Sequence, residues 1–184
     1  KFSQALRSQE LRVYLGIFFG AVAVITVDIC HIFGGIRQAL HHAVFTVASI
    51  MTTTGFATED FDLWPQLSRT ILVVLMIVGA CAGSTGGGIK CARLLLLCKA
   101  LGARIRQMLH PRSVNLVRVD GHTVEEETLQ GVNTYMTAYC FIAIASVLLL
   151  SLDNLSLETN FTAVMACLNN IGPGLDLVGP TSNY

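Results

Sequence analysis

Three consecutive threonines at positions 52–54 are followed directly by Gly55 and Phe56. Because glycine adopts backbone angles that are closed to other residues, Gly55 lets the chain turn so that neighbouring carbonyl oxygens face one way. Rings of such carbonyls can replace the water around a dehydrated K⁺. The helical segment before them, 38–51, is too short to cross a bilayer. The stretch therefore predicts a re-entrant pore helix and one wall of a cation filter at 52–56. A helix that ends in a threonine–glycine cap within a soluble core is the alternative.

A second glycine-rich stretch lies between two apolar segments. It consists of Gly83, Ser84, Thr85, Gly86, Gly87 and Gly88. Residues 71–82 before it are strongly apolar, but as a helix they reach only about 18 Å, at about 1.5 Å per residue. Helix is predicted to return at Ile89 and to continue past Leu101. Irregular backbone within a membrane must line a cavity or be buried in protein, so a helix broken by glycines is typical of transport segments.

The residues after the glycine-rich stretch argue against a nucleotide-binding loop. That motif ends in Gly-Lys-Ser/Thr, whereas Ile89, Lys90 and Cys91 follow the last glycine in this sequence. Lys90 and Arg93 would lie at a depth where a charged side chain usually faces a cavity or a partner. Arg93 is the better placed of the two to extend its charge to the membrane surface.

The composition indicates a membrane protein. Hydrophobic residues make up 53% of the 184 residues and charged residues 13%, against roughly 25% charged residues in soluble domains. No basic block with interleaved aromatic residues is present, so nucleic-acid binding has no support. Neither the six cysteines nor the five histidines have the paired spacing of a metal or redox site. The sequence has no Ser/His/Asp grouping and no paired carboxylates within a span, so it does not favour a membrane enzyme. Because the chain begins at Lys1 without Met, we expect a fragment of a longer protein.

Three segments are predicted to span the membrane: 11–30, 70–101 with its break at 83–88, and 128–152. Between the last two, Asp120-Gly121 is the dipeptide of a tight turn, so residues 110–127 are predicted to form a cytoplasmic hairpin linker. The basic residues Lys1, Arg7, Arg12, Lys99, Arg104, Arg106, Arg112 and Arg118 lie on one side of these spans, and Arg37 and Arg69 on the other. This bias predicts that the linker is inside and the threonine–glycine stretch outside.

The sequence repeats the short helix and glycine turn. Gly172 lies 117 residues after Gly55. The same offset aligns Thr53 with Asn170 and Thr54 with Ile171. A short apolar helix is predicted at 157–169, and the second glycine turn follows it at 170–174. Internal repeats around a central pathway are how many transport folds are built.

Three motifs in this order resemble the Trk/Ktr potassium-uptake superfamily, most closely its TrkH-type membrane subunits. They are Thr52-Thr53-Thr54-Gly55-Phe56, Gly83-Ser84-Thr85-Gly86-Gly87-Gly88-Ile89-Lys90 and Asn169-Asn170-Ile171-Gly172-Pro173-Gly174, together with the His110-Pro111-Arg112 junction. The resemblance implies an all-α integral membrane fold of membrane–pore–membrane repeats with re-entrant pore helices, as in potassium channels, and a small cytoplasmic β-hairpin between repeats. In that family four repeats of one chain surround one K⁺ pathway. This chain resembles the third repeat (1–109) and most of the fourth (128–184).

The resemblance also implies roles for individual residues. Backbone carbonyls of two triplets are expected to coordinate K⁺, namely Thr53, Thr54 and Gly55 in the first turn and Asn170, Ile171 and Gly172 in the second. The loop from Gly83 to Gly88 is expected to be an intramembrane gate, with Lys90 beside it on the cytoplasmic side. The second turn departs from the threonine-rich form, which the last repeat of the family tolerates.

The implied function is potassium uptake by the pore-forming, multi-pass subunit of a Trk-type system in the bacterial cytoplasmic membrane, rather than an enzymatic reaction. The expected partners are a second copy of the full-length protein and a cytosolic, TrkA-like nucleotide-binding ring, with the regulatory nucleotide on the ring. A Na⁺-permeable or Na⁺/H⁺-coupled transporter of the same scaffold is the alternative, because selectivity depends on filter geometry and field strength. A purely structural role of the fragment by itself also stays open.

Overall fold

The computed structural model describes residues 8–110 and 116–182, and these form a mainly helical structure. The helices are α1 (Gln9–Ile29), α2 (Ile36–Met51), α3 (Gln66–Ile77), α4 (Cys91–Leu109), α5 (Glu126–Leu150) and α6 (Leu157–Leu168). The strands are β1 (Val78–Gly79), β2 (Ile89–Lys90), β3 (Arg118–Val119) and β4 (His122–Thr123). Short 3-10 turns occupy Phe61–Leu63, Ser151–Asp153 and Asp176–Val178. The basic residues Lys1, Arg7 and Arg112 and the junction residue Pro111, used in the sequence predictions, lie outside the described residues.

Two of the described helical segments, Gln9–Ile29 and Glu126–Asp153, are long and apolar enough to cross a membrane. The second of these leaves large apolar side chains uncovered, with Phe141 73% exposed and Leu149 68% exposed. Of its most apolar 18-residue stretch, only 6% is buried inside the chain. A helix that is apolar on every side needs an apolar environment, so α5 requires lipid or further protein around it.

The main core lies where α1, α2 and α3 meet, next to the second glycine turn. Its buried members include Ala21, Val22, Ile25 and Ile29 of α1, Ala39, Ala43, Val47, Ile50 and Met51 of α2, and Leu72, Leu75 and Met76 of α3. The spacing of three and four residues places each of these sets on one face of its helix. The repeat 1–109 is called the first unit below and the incomplete repeat 128–184 the second unit. Ile171 and Leu175 of the second unit belong to the same core. The two units are therefore joined by apolar packing close to their glycine turns.

The helix predicted at 71–82 ends earlier than the sequence indicated, at Ile77. The backbone is already extended at Val78, with ψ of 99°. From there β1 pairs in parallel with β2, so residues 80–88 form a loop whose two ends lie side by side. The sequence does not mark this end, because residues 78–82 are nearly as apolar as the helix before them. In the second half of the span, helix returns at Cys91, two residues after Ile89, and continues past Leu101, as expected, to Leu109.

The second unit follows the first at the offset of 117 residues. Helix α5 begins at Glu126, 117 residues after the first residue of α1, and α6 ends at Leu168, 117 residues after the end of α2. The start of α6 is fixed by Ser156, whose Oγ accepts a hydrogen bond of 3.1 Å from the backbone N–H of Thr159. A hydroxyl in this position satisfies one of the N–H groups that a helix leaves unpaired at its start.

Strands β3 and β4 pair in an antiparallel hairpin, with Arg118 opposite Thr123 and Val119 opposite His122. The turn residues Asp120 and Gly121 have φ of +49° and +85°. Two positive φ angles in succession are the geometry of the tight hairpin turn that an Asp-Gly pair favours. The location of this hairpin on the cytoplasmic side stays a prediction.

Candidate functional site

The first glycine turn (52–56) is formed by hydrogen bonds back to the end of α2. The N–H groups of Thr52, Thr53 and Thr54 donate to Ala48 O (2.9 Å), Ile50 O (3.0 Å) and Ser49 O (2.8 Å). Thr53 and Gly55 have positive φ, +55° and +81°. The hydroxyl of Thr52 lies 2.7 Å from that of Thr54 and donates to Ala48 O. The N–H groups are thus paired inward, and no described residue donates to the carbonyl oxygens of Thr53, Thr54 or Gly55.

The second glycine turn (170–174) repeats these bonds at the same offset. The N–H groups of Asn169, Asn170 and Ile171 donate to Met165 O (3.1 Å), Cys167 O (3.2 Å) and Ala166 O (2.9 Å). Asn170 and Gly172 have positive φ, +53° and +108°, as Thr53 and Gly55 do. Among the described residues, nothing donates to the carbonyl oxygens of Asn170, Ile171 or Gly172. Different side chains therefore support one backbone geometry.

The two glycine turns are in direct contact. A Cβ added to Gly55 would lie 2.0 Å from the carbonyl oxygen of Ile171 and 3.2 Å from Cδ of Pro173. No side chain fits at that distance, so the approach of the two turns requires glycine at this position. Both turns also line an open cavity of about 470 Å³, together with Cys167 and residues after the second turn. The structure thus brings both predicted filter segments to one place.

The glycine-rich stretch 83–88, called the glycine loop below, lies against both turns. A Cβ on Gly86 would be 3.0 Å from Oγ1 of Thr53, and one on Gly87 would be 2.1 Å from the carbonyl oxygen of Asn169. A Cβ on Gly79, in β1, would be 2.3 Å from the carbonyl oxygen of Gly87. The close contacts are made by the second half of the loop, since a Cβ on Gly83 would meet no atom of the described residues within 4 Å. The absence of side chains at these glycines allows three backbone segments to meet.

Lys90 binds the glycine loop. Its Nζ donates to the carbonyl oxygen of Ser84 (2.9 Å), to Oγ of Ser84 (3.0 Å) and to the carbonyl oxygen of Gly86. Ser84 is also tied to the start of the loop, since its Oγ donates to Cys81 O at 2.7 Å. Arg93, one turn later in α4, points elsewhere, because its guanidinium lies 3.9 Å from the ring centroid of Tyr135. Of the two cations singled out in the sequence, Lys90 is the one that contacts the loop.

Asn169 connects the second turn to α5. Its side chain is completely buried, and its Oδ1 accepts a hydrogen bond of 3.0 Å from the hydroxyl of Tyr139. Its Nδ2 has no hydrogen-bond partner among the described residues. Tyr139 was not identified from the sequence, because a tyrosine in the middle of an apolar span gives no indication of its partner.

An ion-pair network joins the two units beside the turns, and the sequence did not predict it. The Arg69 guanidinium lies 3.1 Å from Asp62 of its own unit and also pairs with Glu158, in the first turn of α6. Asp60 accepts hydrogen bonds from the N–H of Asp62 and from the hydroxyl of Thr181. The acidic loop around Asp60 therefore makes structural contacts with the second unit.

Asp176 closes the loop that follows the second turn. Its carboxylate accepts hydrogen bonds from the hydroxyls of Ser156 and Thr159, the latter at 2.6 Å. These two bonds, helped by the more distant charge of Arg69, lower the pKa of Asp176 below its ordinary value. A lowered pKa in the folded state means that the carboxylate contributes stability at neutral pH. That contribution is lost as the pH falls through the lowered pKa.

Replacing Arg69 by Gln is expected to lower the unfolding temperature of the detergent-solubilised full-length protein by a few degrees. The substitution removes both ion pairs of a side chain that is only 19% exposed, and pairs of this kind contribute about 1 kcal/mol. Thermal unfolding followed by intrinsic fluorescence measures the effect. Arg37→Gln is the control, since Arg37 is exposed and has no ion-pair partner among the described residues. Equal unfolding temperatures for the two variants would contradict the role of this network.

Comparison with known proteins adds to this geometry. The family model described as TrkH, cation transport protein, matches residues 11–182. The Trk system potassium uptake protein TrkH of Escherichia coli K12 is 32% identical over 174 residues, which are 94% of this chain and 36% of that protein. The protein of the same name from Vibrio parahaemolyticus is 36% identical over 138 residues, which are 75% of this chain and 28% of its own length.

The fold agrees with a solved transporter structure. The crystal structure of the potassium transporter TrkH from Vibrio parahaemolyticus matches with a TM-score of 0.87 at 32% identity, covering 94% of this chain and 37% of that chain. The matched part of the chain thus covers between 28% and 37% of the length of these relatives. The family model, the sequence relatives and the shared fold confirm the resemblance found in the three motifs. The chain belongs to the TrkH family of cation transport proteins, which are integral membrane proteins of the bacterial cell membrane.

Proposed function

We propose that the full-length protein takes up K⁺, and that the carbonyls of both glycine turns form part of its selectivity filter. The observation that carries the proposal is the repeated set of carbonyls, at residues 53–55 and again at 170–172, to which none of the described residues donates a hydrogen bond. A backbone carbonyl at membrane depth needs a partner, because leaving it unsatisfied costs several kcal/mol. A dehydrated K⁺ is a partner of the right charge, and carbonyl groups replace its water in known filters.

The names of the relatives support potassium as the ion. The Escherichia coli relative is called a potassium uptake protein, and the solved Vibrio parahaemolyticus relative a potassium transporter. This chain covers 36% of the first of these, so the activity is proposed for the full-length protein, in which further turns complete the ring of carbonyls. The positive-inside bias favours turns that face the outside, where K⁺ enters.

Uptake of ⁸⁶Rb⁺ by K⁺-starved cells that depend on the full-length protein tests this function. We expect saturable uptake that excess K⁺ suppresses and that the same excess of Na⁺ leaves unchanged. Equal suppression by Na⁺ would overturn K⁺ selectivity and favour the Na⁺-permeable alternative. A Na⁺/H⁺-coupled transporter is separated by a third condition, because uptake would then stop when an ionophore dissipates the coupling gradient while the membrane potential is clamped.

The glycine loop and Lys90 are proposed as the gate. The second half of the loop lies against both turns, at Thr53 and Asn169, which supports a position on the path of an ion that leaves the filter. The loop is irregular backbone, which a membrane protein retains only where it is buried or lines a cavity. Lys90 holds it by bonds to Ser84 and Gly86. Release of those bonds would let the loop move aside.

The proposed assembly is a homodimer of the full-length protein with a cytosolic, TrkA-like nucleotide-binding ring, and no nucleotide is expected on this chain. The relatives are called Trk system proteins, which supports the presence of other Trk components. The β3–β4 hairpin, which the basic-residue bias places inside, is a candidate contact for the ring.

A further inference from the structure

The first turn of α1 contacts the backbone just before the glycine loop. A carboxylate oxygen of Glu10 accepts a short hydrogen bond from the N–H of Ala82. Ala82 lies in the irregular segment between β1 and β2, where an N–H group has no helical partner. A carboxylate that accepts from a backbone N–H forms one of the stronger hydrogen bonds in proteins. Glu10 is therefore an anchor for the start of the loop.

This anchor complements the one at the other end. Lys90 binds the carbonyl oxygens of Ser84 and Gly86 from the exit of the loop, whereas Glu10 binds an N–H group at its beginning. The Glu10 carboxylate accepts a hydrogen bond, whereas the Lys90 ammonium group donates hydrogen bonds, so neither residue can replace the other. The two anchors come from different elements, α1 and β2. A displacement of α1 would therefore release one of them and leave the other in place.

The β3–β4 hairpin fixes the residues directly before Glu10. The N–H of Gln9 donates to Oδ1 of Asp120 at 2.8 Å, and the hydroxyl of Ser8 lies 3.5 Å from Oδ2 of the same carboxylate. Lys99 adds a second connection, since its Nζ donates to Arg118 O at 2.6 Å and to Oε1 of Gln9. The hairpin thus holds the start of α1 in two ways. Asp120 of its turn binds Gln9 directly, and Arg118 of β3 binds Lys99, which in turn binds Gln9.

We propose that Glu10 is a positioning residue for the glycine loop, and that the hairpin turn controls it by holding the first turn of α1. A partner that moves the hairpin then changes the hold of Glu10 on Ala82 and so the position of the loop. The proposal rests on the function proposed above only in treating residues 83–88 as the gate. The geometry itself is tested without any transport measurement.

The native Cys81 reports on the loop, because it directly precedes Ala82 and is partly exposed. The full-length protein, with Cys81 as its only cysteine, is labelled in inverted membrane vesicles with a membrane-impermeant thiol reagent. Glu10→Ala is expected to raise the labelling rate roughly tenfold, because it removes a hydrogen bond to a charged group. Glu10→Gln also loses the charge, which by itself speeds labelling of the nearby thiol in both variants, but it keeps an acceptor oxygen, so we expect its rate to stay well below that of Glu10→Ala. Equal acceleration by both variants would show an effect of charge on the thiol and would overturn the proposal.

The hairpin is tested with a matched pair at Asp120. Asp120→Gly removes the acceptor and retains the positive φ of +49° that the turn needs. Asp120→Asn retains an acceptor oxygen in the same turn. We expect faster labelling of Cys81 in the first variant and a native rate in the second. In the Glu10→Ala background Asp120→Gly should add nothing, because both changes break one chain of contacts. An unchanged rate in Asp120→Gly, or additive effects of the two changes, would overturn the link between hairpin and loop.

The outcomes also separate this inference from the proposed function. If Glu10→Ala accelerates labelling clearly more than Glu10→Gln does, the anchor stands whether or not the full-length protein carries Rb⁺. If Rb⁺ uptake is confirmed and both Glu10 variants label at the same rate, the anchor is rejected and the function stands.

Discussion

Replacing Gly55 by Ser is expected to reduce Rb⁺ uptake by the full-length protein at least tenfold. A Cβ at this position would lie 2.0 Å from the carbonyl oxygen of Ile171 and 3.2 Å from Pro173. Either the first turn or the second must shift to remove this overlap. Because the carbonyls proposed to bind K⁺ lie on both sides of the contact, one substitution distorts two walls of the filter. A tenfold loss of rate needs only about 1.4 kcal/mol on the barrier.

Gly34→Ser is the control for the backbone strain that a serine causes at a positive φ. Gly34 also has positive φ, +66°, but an added Cβ would meet nothing within 4 Å. Gly34→Ser therefore imposes a similar left-handed strain without the clash, which we expect to leave uptake within about twofold of the native protein. Gly172→Ser is a third case, with φ of +108° and an added Cβ that would meet no described atom within 4 Å, and we expect an intermediate loss. Uptake is normalised to the amount of protein in the membrane. A Gly55→Ser variant that matches Gly34→Ser would contradict the filter proposal.

The local conformations of the site were predictable because single residues determine them. Glycine at a forced positive φ, with hydroxyl or amide side chains before it, marks a turn in the sequence itself. Gly55 and Gly172 adopt positive φ as expected, and the hydrogen bonds before them repeat at the same offset. The Asp120-Gly121 turn follows for the same reason. In each case the information lies within a few residues of the feature.

The contacts between distant segments could not be predicted, because nothing local selects the partner. Glu10 binds Ala82 across 72 positions and Arg69 pairs with Glu158 across 89. The sequence offers each of these charged side chains several possible partners and does not select one. The early end of α3 at Ile77 was missed for a related reason. The helix stops there because Gly79 must approach the carbonyl of Gly87, and this requirement arises only in the folded structure.

Replacing Lys90 by Met is expected to raise the resting Rb⁺ flux of the full-length protein roughly tenfold. The ammonium group holds the glycine loop by bonds to the carbonyl oxygens of Ser84 and Gly86 and to Oγ of Ser84. Hydrogen bonds to a charged group contribute about 1.5–3 kcal/mol each. Water would replace some of the hydrogen bonds that the loop loses. A net loss of about 1.4 kcal/mol already shifts the equilibrium between the closed and open positions of the loop tenfold. Initial rates in proteoliposomes without the regulatory partner measure the resting flux.

The physical reason lies in what the ammonium group binds. Backbone carbonyl oxygens are also the kind of ligand proposed for K⁺, and the Lys90 ammonium group binds two such oxygens within the glycine loop, those of Ser84 and Gly86. Arg93→Met is the matched control, because it removes a cation one turn away that stacks on Tyr135 and does not touch the loop. If loss of positive charge at this depth were sufficient, both variants would raise the flux. We expect the increase only for Lys90→Met. An unchanged or reduced flux in a variant that assembles normally would show that Lys90 does not hold the gate closed.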